Sequence, residues 1–471
     1  MATGKLKIGK SAVAAIWAAL GLAAMGTWMN LVGYSSAFDP IFLGEGVSPH
    51  ITRYAFYSGL IICRVAMMVF SDYLERIKVH ITIGICVLFC LGTIAFGTAP
   101  VQGLFDPLLL SLGGCFVCGI SYSWLIVAFY LSLVQQYSLK VAIVAVAASL
   151  LLETLLALFF NILFEKPVQV LIGALLPLCV CLIFLYVNRQ AKEPLEEQQY
   201  ELRSNIGRYQ ILILILSSFT LVSMRGITTV GLWGNIRSDF SFDPFMFTSE
   251  TIVACIFFLA FSYFALIRRS AAPIQSRYQF GYFVMIVGFI VFLVSGFAFP
   301  ESEISGERIL ASSIELFGHL FNWSIVMSSA KLLKVSPYKV FGFSGVLYNF
   351  LAIIWMIFLE NALVASNAVV AVVVAAIIFC LIVVPVQLFN QREDNLEQLC
   401  KRIAQDYALT AREEEVLFYL AQGRSRPFIQ EKLSIASGTV KTHSSHIYEK
   451  LNIHSRQDLL DMIEREQHHS A

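Results

Sequence analysis

Mostly apolar stretches of roughly twenty residues, broken by short polar loops, recur along the first 389 positions of this 471-residue chain. A stretch of that length, coiled as an α-helix, matches the hydrocarbon core of a bilayer. Lipid offers the backbone no hydrogen bonds, so such stretches are helical or belong to a closed barrel. A barrel strand needs only about 9–11 residues and alternates in polarity. These stretches do neither, so the reading is helix. Charged residues make up 14% of the chain and hydrophobic residues 58%, against about a quarter charged in a soluble domain. The fold class expected is all-α, a polytopic bundle of about twelve spans. They lie at 11–33, 53–70, 79–98, 105–130, 141–163, 169–188, 209–232, 247–267, 278–299, 309–330, 340–360 and 363–389. The first is too long for the apolar core of a signal peptide.

Basic residues in the loops set the orientation. One set of loops carries Lys5, Lys7 and Lys10; Arg76 and Lys78; Lys140; Arg189, Lys192, Arg203 and Arg208; Arg268, Arg269 and Arg277; Lys331, Lys334 and Lys339. The alternating set carries only Arg53, Lys166, Arg237 and Arg308, among acids such as Asp39, Glu45, Asp239 and Glu301. Both termini are therefore expected in the cytoplasm, on a multi-pass protein of the cell membrane. The long polar linker Arg189–Arg208 divides the spans six and six. Two six-helix halves joined this way resemble the major facilitator architecture. The loop Ser71–Lys78 is similar to the acidic-basic loop of that superfamily but lacks its usual glycines. Net charge is +1, so no global basic field argues for nucleic acid. Cys115 and Cys118 form a CxxC inside an apolar stretch, where cysteine acts as a small hydrophobe. No metal or cofactor is expected, and no nucleophile–base pair, Walker loop or zinc-ligand spacing points to an enzyme.

After Leu388 the composition turns polar. Residues 390–408 form a cytoplasmic linker with Leu396, Leu399 and Ile403 at helical spacing, either a conveyor of signal or a passive tether. In residues 409–471, Thr410 followed by Glu413 forms a capping box that starts a helix. Val416, Leu417 and Leu420 give it an apolar face, and Gly423 ends it in a left-handed turn. A second helix begins near Pro427, with Ile429 and Leu433 inward. Ser437 caps a third helix that reaches about Leu451, and Ser455–Leu460 begins a fourth. Taken in order and spacing, these segments resemble the helix-turn-helix of LuxR-type transcriptional regulators.

That resemblance implies a small four-helix domain whose third helix enters the major groove of double-stranded promoter DNA. It places Thr439, Val440, Lys441, His443 and Ser444 toward DNA. Lys441 suits a guanine edge or a phosphate, and Ser437 and Thr439 suit phosphate. Val440 suits a thymine methyl or the core. Lys450 is a phosphate contact, and Arg424 joins Arg426, Lys432 and Arg456 in a basic face. The fourth helix in this family often dimerises, and RNA polymerase is a candidate partner. Two departures stand out: Arg426-Pro427-Phe428 replaces a polar trio, and Gln430 replaces an alanine. Phe428 is expected to be exposed.

Ionisable side chains inside spans are costly and mark functional candidates. They are Arg64, Glu153, Arg225, Glu315 and His319. The major facilitator resemblance implies that all five converge on one polar pocket for an unknown small molecule, Arg64 and Arg225 suiting an anion. The alternative is that they pair with one another to hold the bundle. Three functions fit the sequence. The first is a membrane-anchored regulator whose bundle senses a ligand. The second is a secondary transporter with an appended DNA-binding domain. The third is a regulator activated by proteolytic release.

Overall fold

A computed structural model of the protein describes residues 10–33, 51–99, 105–190, 214–222, 244–263, 306–333, 335–362 and 399–469, with a few single positions between. The described residues are helical and contain no strand. Among the described residues, nine long helices lie in the N-terminal part: α1 Lys10–Trp28, α2 Ile51–Val69, α3 Ser71–Thr98, α4 Pro107–Gln136, α5 Leu139–Leu163, α6 Lys166–Arg189, α7 Pro244–Ser262, α8 Gly306–Leu332 and α9 Pro337–Ala362. Four shorter ones follow: α10 Ala411–Ala421, α11 Arg426–Leu433, α12 Ser437–Lys450 and α13 Arg456–His469. Six of the long helices are long and apolar enough to cross a membrane: α1, α3, α4, α5, α6 and α9. The expected spans at 278–299 and 363–389 lie outside the described residues. The chain divides into two compact units, Met1–Ala260 with Val287–Asn367 and Phe261–Ile286 with Ala368–Ala471.

In the first unit α4 packs against α2 and α3, while α9 packs on α2 and α1 on α5 and α6. Glycines make the α4 crossings close. A Cβ on Gly59 would meet the Phe116 carbonyl oxygen, and one on Gly119 would meet that of Phe56. Gly92 and Gly114 repeat the arrangement between α3 and α4, where a Cβ on each would stand 3.1 and 2.8 Å from the other's carbonyl oxygen. In lipid, where water does not drive helices together, such small-residue seams let dispersion and weak Cα–H···O contacts accumulate.

Tryptophans fill the wider gaps with their N–H groups satisfied. Trp28 lies 4.6 Å from the Phe89 ring and donates from Nε1 to Thr93 Oγ1 at 3.2 Å. Trp124 Nε1 donates to Thr82 Oγ1 at 2.8 Å. Outside, Val87, Leu88, Leu91 and Ile94 of α3 and Leu171, Leu175, Leu178 and Leu182 of α6 are exposed.

The second unit has its own core. Val416, Leu417 and Leu420 of α10, Ile429 of α11, Val440 and Ile447 of α12, and Leu459 and Ile463 of α13 are buried together. Leu399, Cys400 and Ile403 belong to the same cluster. Residues 399–406 are helical. This stretch of the linker is therefore packed into the domain, which excludes a free tether there. Ile403→Val is expected to cost the domain about 1 kcal/mol. Faster hydrogen exchange across residues 411–451 of the full-length protein would report it; unchanged exchange would remove the segment from the core.

Candidate functional site

The C-terminal unit is built around repeated helix ends. Thr410 caps α10: its Oγ1 accepts the Glu413 N–H at 3.3 Å, and Glu413 Oε2 accepts the Thr410 N–H at 2.8 Å. Four helices then stop the same way, each with a residue of positive φ: Ala408, Gly423, Ser434 and Asn452. The next residue in each case donates its N–H back to the fifth residue before it. The pairs are Leu409 to Ala404 at 2.8 Å, Arg424 to Tyr419 at 2.9 Å, Ile435 to Gln430 at 3.2 Å and Ile453 to Tyr448 at 2.9 Å. These bonds satisfy carbonyls that a helix end leaves open. Leu409, Ile435 and Ile453 then pack against the core. Only Gly423 accepts positive φ freely; the other three carry about 1 kcal/mol of backbone strain each.

The face of α12 follows from its period. Val440, Ser444 and Ile447 are buried, at spacings of four and three. Gly438, Thr439, Lys441, Thr442 and Ser445 are exposed on the other sides of the helix, and Ser437 is exposed at its first turn. The structure thus corrects two expected DNA contacts. Val440 is core, and Ser444 is inside with its hydroxyl donating to the Val440 carbonyl at 2.8 Å. His443 is half-buried. Thr442 and Ser445, not among the expected contacts, share one exposed helical face with positions 438 and 441. Ala436, in extended conformation, takes the capping position assigned to Ser437, which becomes the first residue of the helix.

Several expected phosphate-binding cations are engaged within the domain. Lys450 Nζ lies 2.7 Å from Glu413 Oε2 and donates to the Ala408 carbonyl at 3.0 Å. Arg456 donates from Nη2 to the carbonyls of Gly423 and Arg424. The Arg424 guanidinium lies 4.7 Å over the Phe428 ring, and its Nε donates to Gln422 Oε1 at 3.3 Å. Phe428, expected to be exposed, is half-buried beneath Arg424 and beside Tyr419 at 6.0 Å. Gln430 points outward. Arg426, Lys432 and Lys441 remain exposed.

Glu413 is 3% exposed and faces two α12 side chains, Lys450 and His446, the latter at 3.6 Å. Burial pushes its carboxyl up. The ammonium of Lys450 and the N–H and hydroxyl of Thr410 outweigh that and hold it at about 2. One carboxylate therefore starts α10 and fixes the far end of α12.

In the first unit Arg64 is buried on α2, and its Nη1 donates to the Phe341 carbonyl on α9 at 3.2 Å. Glu153 on α5 is half-buried and accepts from Asn30 Nδ2 at 2.8 Å. Glu315 and His319 are half-buried on α8, and the His319 ring meets Tyr348 at 6.0 Å. Arg225 lies outside the described residues. Asn322 joins two helical segments by accepting from Ser217 at 2.8 Å, whereas Asn161 and Asn349 bond within their own helices.

Residues 407–463 match the family model described as bacterial regulatory proteins, luxR family. A probable transcriptional regulatory protein NarL of Mycobacterium tuberculosis is 50% identical over 48 residues, 10% of this chain and 22% of that protein. The uncharacterized response regulatory protein YgeK of Escherichia coli is 33% identical over 72 residues, 15% of this chain and 49% of that one. The Fimbriae Z protein of Salmonella typhimurium is 41% identical over 56 residues, 12% and 27%. The chain thus spans less than half the length of each of these relatives. Its C-terminal domain is a LuxR-type helix-turn-helix domain.

Proposed function

We propose that this protein is a membrane-anchored transcriptional regulator that binds double-stranded promoter DNA through α12 while its N-terminal helices sit in the bilayer and sense a small molecule. The observation that carries this reading is the union, in one chain, of six membrane-length helices and a LuxR-type helix-turn-helix domain. The exposed apolar rows on α3 and α6 suit lipid, since rows of large aliphatic side chains would be costly in water. The exposed row on α12 suits a groove: Ser437 and Thr439 near the helix N-terminus favour phosphate, and Lys441, Thr442 and Ser445 reach toward base edges. Lys441 is exposed and sits in the N-terminal part of that helix.

Lys441→Ala is expected to weaken DNA binding by about 1–3 kcal/mol and to relax preference at one base position. Gel-shift titration of the full-length protein at fixed salt checks it; unchanged affinity and preference would remove Lys441 from the interface. A genome-wide occupancy profile of the membrane-embedded protein tests the whole reading. Discrete peaks beside a few promoters support it. Peaks only for a severed C-terminal fragment favour release from the membrane. No peaks, together with substrate flux into vesicles, favours a transporter.

A further inference from the structure

Arg64 is 5% exposed, in an apolar helix. A guanidinium carries five N–H donors. Here one bond to a neutral carbonyl is made, at Phe341, and Nε has no hydrogen-bond partner. No carboxylate among the described residues pairs with it. Glu153 is bonded to the neutral Asn30 amide rather than to a cation. A buried cation is ordinarily neutralised by a partner of opposite charge, and among the described residues Arg64 lacks one.

Its surroundings define what would supply that charge. Tyr130 lies within Coulombic reach of Arg64 and stacks on Trp323 with ring centroids 4.0 Å apart. Phe341, whose carbonyl holds Arg64, lies 6.2 Å from Tyr130 and from Trp323. The guanidinium is thus bonded to the backbone of a residue that belongs to an aromatic cluster. On its other flank the Arg64 side chain lies directly against Gly345, close enough that a Cβ there would stand 2.7 Å from Nε. A carboxylate matches a guanidinium in shape and takes two of its N–H groups, and an apolar body suits the rings. A single guanidinium among rings suits a singly charged anion better than the doubly charged phosphate.

We propose that Arg64 is the receptor for the carboxylate of a small organic acid with an apolar body. This rests on the membrane half being a sensor, and it names the class of molecule sensed. Thermal unfolding of the full-length protein in detergent tests it, with acetate, butyrate, octanoate and benzoate set against their neutral amides and inorganic phosphate. At least one carboxylate is expected to raise the unfolding temperature saturably, with its amide and phosphate inert. Arg64→Gln is expected to weaken that response by about tenfold or more. Gly345→Ala, which crowds Nε while keeping the charge, should weaken it too, so the test survives if Arg64→Gln fails to fold. No protection by any of the four acids overturns the proposal. So does protection by phosphate, or protection that both variants retain. Gel shift on the same preparation separates the two readings. DNA binding with no carboxylate response sinks only this site, whereas no DNA binding sinks the regulator.

Discussion

Gly119→Leu is expected to prevent the N-terminal helices from assembling, whereas Gly113→Leu, on the same helix, is expected to be tolerated. A Cβ at Gly119 runs into the Phe56 backbone carbonyl, and backbone cannot rotate aside as a side chain can. At Gly113 a Cβ meets nothing within 4 Å. Relieving the clash means prising α4 from α2 along the seam where Gly59 makes the reciprocal contact, at a cost above about 3 kcal/mol. Yield and thermal unfolding of the detergent-solubilised protein measure it. Equal behaviour of the two variants would remove the glycine seam from the account of how these helices pack.

Glu413→Ala is expected to loosen the C-terminal domain by about 3 kcal/mol, since it removes a capping box and the buried partner of Lys450 together. The same carboxylate sets a pH dependence. Folding holds it at about 2 against an ordinary glutamate value of 4.5. Its stabilisation is therefore complete above about 4.5 and is lost as the pH falls toward 2, a total on the order of 3 kcal/mol. Hydrogen exchange of residues 411–451 in the full-length protein, compared at pH 5 and pH 3, reads this out. Wild type should lose protection over that interval. Glu413→Gln, which cannot ionise, should begin less protected and lose less. Parallel losses in both proteins would place the acid sensitivity elsewhere.

The parts of this chain visible in its sequence are those where local chemistry dictates structure. Apolar runs announced the long helices, Thr410 with Glu413 announced the start of α10, and Gly423 announced its end. The turns at Ala408 and Ser434 were hidden because neither carries the glycine or asparagine that such a turn favours. Ser444 was misplaced because a serine reads as surface, while its hydroxyl is satisfied by a carbonyl one turn back. Lys450 and Arg456 read as free cations because carbonyl partners at Ala408, Gly423 and Arg424 leave no mark in composition. In the membrane half Arg64 and Glu153 stood out as charges among apolar residues. Their partners Phe341 and Asn30 are 277 and 123 positions away in the chain, beyond any local pattern.

The tie between Lys450 and the Ala408 carbonyl has a mechanical meaning. The helix of residues 399–406 ends at Ala408, and α12 ends at Lys450, so the helix of residues 399–406 and the tail of α12 are fastened at one point. Leu399 and Ile403 are locked in the core that holds α12, and a close-packed core transmits displacement rather than absorbing it. A twist applied at the entry helix would turn the domain as a solid piece, with α12 keeping its place within it. Control exercised through that helix must then act on where the domain is held and which way it points, not on the shape of the surface that α12 presents.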